Sequence, residues 1–133
     1  DNGIFMCYSI YIINNKERKN MTVQITKTAK YIGGGIENMT NAMIEDYNSF
    51  TANEQMQDEF ANGFDIRKGQ KYVKVINRNA VVAFIVNTTE DKLFELGDIL
   101  KPAGWNAPAR NKPRGNVLDG NYLMQWTGPM YLS

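Results

Sequence analysis

Histidine is absent from the 133-residue sequence, and Cys7 is its single cysteine. Zinc sites built from Cys and His, Ser-His-Asp triads and Cys-His pairs all need residues that the chain lacks. One cysteine cannot build an internal disulfide framework, so a disulfide-stapled secreted scaffold is excluded. Acid–base chemistry would have to use carboxylates such as Asp65, Glu95 and Asp98, or tyrosine and lysine side chains. None of these carboxylates stands in a diagnostic motif, so we predict a non-catalytic protein without cofactor or metal.

Long apolar runs are missing as well. The run Ile4–Ile13 is about ten residues long, which is too short to span a bilayer, and it lacks the basic start of a signal peptide. The following residues, 16–20 (KERKN), can be encoded by a purine run containing AGGA, placed where a bacterial ribosome-binding site would precede Met21. We therefore predict that translation starts at Met21 and that residues 1–20 are upstream sequence. The alternative is a genuine β-strand followed by a polar turn.

Excess charge of one sign is also absent from the whole chain, whose formal net charge is +1. The charge is nevertheless divided unevenly. Residues 21–64 hold two basic and six acidic side chains, and residues 65–133 hold ten and six. The two parts could attract each other within the fold, or the basic part could face a polyanion. The length fits a single soluble domain, which we assign to residues 21–133.

Apolar residues recur at steps of three or four between positions 36 and 62, which predicts a helical segment there. Gly33-Gly34-Gly35 before it lacks the features of a phosphate-binding loop, so we predict a hinge. Thr51 and Glu54 have the spacing of a capping box that would start a second helix. Gly63 is expected to end that helix in the left-handed conformation. The sequence therefore predicts a helical hairpin or a bent helix.

After Gly63 the pattern changes to short strands over residues 64–133, with a hairpin turn predicted at residues 67–70 and another turn at 77–79. The run Ala80–Val86 (AVVAFIV) is almost entirely apolar, as expected of a central strand covered on both faces. Residues 94–101 and 122–126 are further strand candidates. We predict an α+β fold in which the helical hairpin packs on a small antiparallel β-barrel or curved sheet, similar in size to SH3 or OB domains.

Between the last two strands, a basic loop covers residues 102–116. A connection of this length without evident secondary structure is commonly functional or disordered. Its tryptophan could stack on a base or plug the end of a barrel, and its arginines and lysine alternate along an extended chain. Basic residues of the preceding hairpin could join them. The candidate binding residues are Trp105, Asn106, Arg110, Asn111, Lys112 and Arg114 in the loop and Lys71, Lys74 and Arg78 in the hairpin.

The second half of the chain contains the motifs GDILK at residues 97–101, WNAPARNK at 105–112, RGN at 114–116 and WTGP at 126–129. Together these motifs resemble those of a family of small uncharacterised proteins of tailed bacteriophages. The resemblance covers residues 64–133. It implies a phage origin, and with it a place in the cytoplasm of an infected bacterium, but it implies no activity and no catalytic residues.

These observations favour a phage accessory protein that binds nucleic acid or a nucleotide through the loop at residues 102–116. One alternative is an accessory protein that binds and modulates a host protein through the acidic helices or the Met-rich and aromatic surface. A further alternative is a homo-oligomeric structural protein in which the apolar strand Ala80–Val86 pairs across a dimer. No membrane partner is expected.

Overall fold

The structure is a computed structural model, and it describes residues 23–130 of the chain. The predicted leader, residues 1–20, lies outside the described residues. The elements in chain order are β1 (Val23–Ile25), α1 (Ile32–Phe50), α2 (Glu54–Asn62), β2 (Phe64–Lys68), β3 (Tyr72–Asn77), β4 (Ala80–Val86), β5 (Ile99–Leu100), β6 (Tyr122–Gln125) and β7 (Gly128–Pro129). The predicted α+β class is confirmed. Of the helices within residues 23–130, none is both long and apolar enough to cross a membrane.

The strands form two antiparallel sheets. One sheet has the order β1-β6-β7 and the other the order β2-β3-β4-β5. Within residues 23–130 the sheets do not close into a barrel, which decides between the two architectures that the sequence left open. Strand β4 is central and pairs with both β3 and β5. The apolar run of β4 is therefore paired with β3 along one side and with β5 at Phe84 and Ile85 on the other.

The main core lies between α1 and the two sheets. Met39, Met43 and Tyr47 on one face of α1 are at most 2% exposed. Their spacing of four residues places them on one side of the helix, as the sequence predicted. From the four-stranded sheet, Val75 and Ile85 are fully buried against the same cluster. This side of the four-stranded sheet is called the core face below.

The opposite side of the four-stranded sheet, called the outer face below, covers a second and smaller apolar cluster. Phe84, Val86 and Leu100 project from this face, and Phe94 packs on them from the loop before β5. The predicted strand at residues 94–101 is correct only for Ile99–Leu100, because the residues before it form turns. A polypeptide segment must therefore cover the outer face, and the loop at residues 101–116 passes here.

Two predicted features at the starts of the helices are wrong. Gly33–Gly35 is not a hinge but part of the first turn of α1. A Cβ atom at Gly35 would lie 2.5 Å from the carbonyl oxygen of Val117, so glycine permits the close approach of helix and loop at this point. The second helix is capped by Asn53, whose side chain accepts a hydrogen bond from the Met56 N–H at 2.9 Å, and not by a box starting at Thr51.

The turns at the ends of β2 and β3 follow from local backbone preferences. Gly63 ends α2 in the right-handed conformation, with φ −88°, and not in the left-handed one that was predicted. The β3–β4 turn has positive φ at both Arg78 (50°) and Asn79 (70°), as in the two-residue turns that match the twist of a hairpin. This turn was predicted from the sequence, and it brings Ala80–Val86 back beside β3.

Candidate nucleic-acid interface

The loop at residues 101–116 is held along the edge of the four-stranded sheet by main-chain hydrogen bonds. The Ala109 N–H donates to the Lys101 carbonyl and the Arg114 N–H to the Ile99 carbonyl, both at 2.8 Å. At the tip, the Ala103 N–H donates to the Ala107 carbonyl at 2.9 Å. The loop thus returns along β5 as an irregular ribbon, and its tip is a tight turn.

Trp105 stands at this tip and lies against the outer face of the sheet. Its side chain remains 44% exposed, so it neither plugs the fold nor enters the core. The Lys74 ammonium nitrogen lies 4.6 Å from the centre of the indole ring, and the guanidinium carbon of Arg67 lies 5.7 Å from it. Both distances are those of cation–π contacts. The tip and the hairpin therefore meet in one cluster of an exposed indole and two cations.

The register of the sheet explains why these two cations lie together. Arg67 of β2 pairs with Lys74 of β3, and Lys74 pairs with Phe84 of β4. Directly paired residues project from the same face of a sheet. The Lys74 ammonium also lies 5.9 Å from the Phe84 ring, so its aliphatic stem crosses the small apolar cluster of the outer face. The head group is thereby fixed beside the exposed Trp105.

The two cations differ in their ionic partners. Arg67 forms an ion pair with Asp65 at 3.0 Å, with both side chains more than half exposed. Lys74 forms no ion pair within residues 23–130, where its contacts are with aromatic rings. An exposed ion pair contributes little to stability and opens at little cost. Lys74, and Arg67 after exchange of its partner, can therefore contact an anionic ligand.

Arg110, a predicted ligand-binding residue, keeps 37% of its side-chain surface exposed and contacts residues of β3 and of the loop before β5. Its guanidinium makes two hydrogen bonds to the Asp91 carboxylate, both at 3.0 Å, and a third to the Tyr72 hydroxyl. The guanidinium carbon also lies 4.8 Å from the centre of the Phe94 ring. The hydrogen bonds from Arg110, and after them those from the Leu93 and Phe94 N–H groups, lower the pKa of Asp91 from 3.8 to about 2. Arg110 thus ties the returning loop to β3 and to the turn before β5.

Arg114, Asn111 and Lys112 follow Arg110 in the ribbon. Arg114 is half-buried, and its Nη2 donates to the Asn111 side chain at 3.3 Å. Its Nε and Nη1 atoms are buried without a hydrogen-bond partner among residues 23–130. Burial, and secondarily the charge of Arg114, lower the pKa of Lys101. Lys112, between Arg110 and Arg114, is exposed.

The remaining predicted residues are not all brought to Trp105. Asn106, next to it at the tip, is exposed, and so is Lys71 in the β2–β3 turn. Arg78 lies at the far end of β3, where its guanidinium carbon is 5.2 Å from the Phe60 ring. The cluster of cations around Trp105 therefore contains Lys74 of the predicted set, with Asn106 beside Trp105 in the chain, and Arg78 lies on the helical side.

Sequence reasoning missed Arg67, which it assigned to the turn of the hairpin. The register that pairs Arg67 with Lys74 places the β2–β3 turn at residues 69–71. Aligning the two strands outward from that turn would have placed Arg67 opposite Lys74. The contact with Trp105, which is 38 positions away from Arg67 in the sequence, could not have been found in this way. No group of three or more Asp, Glu, Cys or His side chains suited to a metal ion occurs in the described part of the chain.

Comparison with known proteins yields a family and no individual relative. No curated protein and no solved structure matches the chain. A sequence model of a family of unknown function, DUF7717, matches residues 8–131, and the chain belongs to this family.

Proposed function

We propose that this protein is a non-catalytic module that binds single-stranded nucleic acid on the surface formed by Trp105, Lys74 and Arg67. The observation that carries the proposal is an indole that stays 44% exposed while a main-chain-bonded loop and two cations hold it in place. A single exposed apolar side chain is ordinary at a protein surface, but the two cations beside this one suit it to a ligand that is both aromatic and anionic. A nucleobase is a partner that fits both the ring and the charges.

Single strands suit this surface better than a duplex. Proteins that bind them combine a positively charged path for the backbone with aromatic rings on which unpaired bases stack. Lys74 and Arg67 would contact phosphates beside a base stacked on Trp105, and the exposed Asn106 is available for hydrogen bonds. The excess of ten basic over six acidic side chains in residues 65–133 supports the approach of a polyanion.

The biological setting is a further proposal, which rests on the motifs at residues 97–129. We infer that the chain is an accessory protein of a tailed bacteriophage and acts in the cytoplasm of the infected bacterium. Within that setting, modulation of a host protein is the competing function.

Fluorescence anisotropy tests the binding proposal. The full chain would be titrated into labelled single-stranded DNA, duplex DNA and RNA at several salt concentrations. We expect tighter binding to single strands, with the logarithm of affinity falling linearly with the logarithm of salt concentration. Trp105→Ala should weaken binding by about 1–3 kcal/mol, the contribution of one stacked base, and Trp105→Phe should recover most of the loss. Lys74→Gln should lower the salt slope by about one phosphate contact.

Two control variants match these changes in residue type but lie elsewhere. Tyr31→Ala removes an aromatic ring that is 77% exposed before α1, and Lys27→Gln removes an exposed charge after β1. Both should bind as the unchanged protein does. Equal weakening by Tyr31→Ala and Trp105→Ala would refute the role of Trp105. Absence of binding to any of the three nucleic acids at low salt would refute the proposal as a whole and would direct the search to a host protein.

A further inference from the structure

In the described part of the chain, strand β2 is the edge of the four-stranded sheet and pairs with another strand on one side only. It pairs with β3, and within residues 23–130 no strand pairs with its other side. Four of its five residues are exposed, from Asp65 to Lys68. Natural proteins rarely leave a regular strand edge open, because its free N–H and C=O groups can pair with another chain.

The hydrogen-bonding pattern identifies the groups that point away from β3. The Arg78 N–H donates to the Gly63 carbonyl and the Gly69 N–H to the Tyr72 carbonyl. In an antiparallel pair, residues that exchange hydrogen bonds alternate with residues whose main-chain groups point outward. Positions 63, 65, 67 and 69 therefore face β3. The residues whose N–H and C=O groups point to the open edge are Phe64, Ile66 and Lys68.

We propose that the β2 edge is the interface of a homodimer, in which β2 pairs antiparallel with β2 of a second copy about a twofold axis at Ile66. In this register the outward main-chain groups of Ile66 meet those of Ile66 of the second copy. Asp65 then lies opposite Arg67 of the second copy, and Arg67 lies opposite Asp65. These residues form non-hydrogen-bonded pairs, where side chains of opposite strands come closest. The strand is thus complementary in charge to itself.

The neighbouring registers lack this complementarity. A twofold axis at Asp65 would set two aspartates directly opposite each other, and an axis at Arg67 would set two arginines opposite each other. Like charges in directly opposed positions destabilise strand pairing. The same two charges that favour the register at Ile66 therefore act against a slip of the strand pairing by two residues in either direction.

The core-face side of the strand adds an apolar contact. Ile66 is 44% exposed on this side and lines a cavity of about 440 Å³, together with Ile32, Ile36 and Val73. In the proposed dimer the two Ile66 side chains meet and join the two cavities into one continuous groove. Pairing at β2 therefore buries an exposed isoleucine as well as the free main-chain groups.

The twofold symmetry would place the two Trp105 surfaces on one side of the dimer, and their joint use in binding rests on the proposed function. A twofold axis that relates two antiparallel edge strands is perpendicular to the sheet, so both outer faces lie on the same side. The two Trp105 surfaces would then be presented together to one strand of nucleic acid. The dimer itself is tested without nucleic acid, so failure of either proposal is distinguishable from failure of the other.

Charge reversal tests the interface. Sedimentation velocity of the full chain from about 1 µM to about 1 mM, a range that covers weak to moderate affinities, should show a reversible monomer–dimer equilibrium. Asp65→Arg and Arg67→Asp should each weaken dimerisation by about tenfold or more, which is 1.4 kcal/mol. An equimolar mixture of the two single variants should associate as a 1:1 heterodimer, because each charge then meets its opposite. The double variant Asp65→Arg/Arg67→Asp should dimerise as the unchanged protein does.

The matched controls are Glu90→Arg and Lys92→Asp, which reverse two exposed charges two residues apart in the loop after β4. They should leave dimerisation unchanged. Circular dichroism melting at low protein concentration verifies that each variant monomer is folded, since the single variants also break the Asp65–Arg67 pair within the chain. A monomer at all concentrations, or folded single variants that dimerise with wild-type affinity, would overturn the proposal. So would single variants that fail to form the heterodimer.

Discussion

Asp46 on α1 places a carboxyl group inside the core, and its replacement by asparagine is the most informative stability test. The side chain is fully buried, and its Oδ2 accepts a hydrogen bond of 2.7 Å from the Trp126 N–H. Its Oδ1 is buried without a partner among residues 23–130. Burial raises the pKa of Asp46 from 3.8 to about 6, and the hydrogen bond from Trp126 offsets part of this rise.

The sign of the effect follows from proton linkage. Between about pH 4 and pH 6 the folded state binds a proton at Asp46 that the unfolded chain has released, so stability falls as pH rises through this interval. The loss is complete about one pH unit above the folded-state pKa, near pH 7. A rise of the pKa from 3.8 to about 6 corresponds to a loss of about 3 kcal/mol in the free energy of unfolding once Asp46 is fully ionised. Neighbouring Glu45 contributes in the same direction, since burial raises its pKa too, while Lys27 lowers it.

Asp46→Asn keeps an oxygen that can accept from the Trp126 N–H and removes the buried charge. Its new amide group must be buried in place of Oδ1, which costs part of the gain. We expect the variant to be more stable than the unchanged protein by about 1–3 kcal/mol at pH 8, with little or no advantage at pH 4.

Urea unfolding followed by circular dichroism at pH 4, 5, 6, 7 and 8 measures both curves. Glu45→Gln provides the control, because it removes the weaker contribution and leaves that of Asp46. If the stability of Asp46→Asn declined with rising pH as steeply as that of the unchanged protein, ionisation of Asp46 would not be the cause of the decline.

Four further substitutions test how the loop and helices are held. Gly35→Ala should destabilise the protein because its Cβ would meet Val117, whereas Gly33→Ala, with open space around it, should stabilise the helix by up to about 1 kcal/mol. Equal melting temperatures of the two variants would contradict the close approach of α1 and Val117. Arg110→Ala should lower the melting temperature at pH 7. In the unchanged protein the free energy of unfolding falls as Asp91 is protonated between pH 4 and 2, and this fall should be absent from the variant. An acid unfolding profile that is the same in both proteins would show that the ion pair contributes nothing. Trp126→Ala should cost about 2–3 kcal/mol in urea unfolding, less than the truncation of a fully buried tryptophan, because this ring is half-buried beside Tyr47 and Phe60.

The fold could be predicted from the sequence where a local pattern determines it. The apolar spacing in α1 and the run in β4 each point to one environment, and both were assigned correctly. Gly33–Gly35 was read as a hinge because glycine disfavours helices, but packing of α1 against Val117 needs a residue without a side chain at Gly35. Tertiary contact overrides propensity there, and a contact with a residue about eighty positions away leaves no local signal.

In the candidate site too, the features with a local sequence signal could be predicted and those that depend on tertiary contacts could not. The composition of the loop pointed to Trp105 and to its basic neighbours, and the structure places Trp105 at an exposed tip. The composition could not show that Arg110 forms an ion pair with Asp91 that holds the loop in place, because that pairing depends on how the loop folds back. The partners of Trp105 come from β2 and β3, so the sheet register had to be known first.

The fluorescence of Trp105 measures the central claim most directly. Trp126→Phe leaves Trp105 as the sole tryptophan, and its emission would be recorded while single-stranded DNA is added and the anisotropy of the labelled DNA is followed in parallel. Base stacking on the ring predicts quenching that saturates together with the anisotropy and is lost at high salt. Anisotropy that rises while the Trp105 emission stays unchanged would contradict the account, because nucleic acid would then bind elsewhere on the protein.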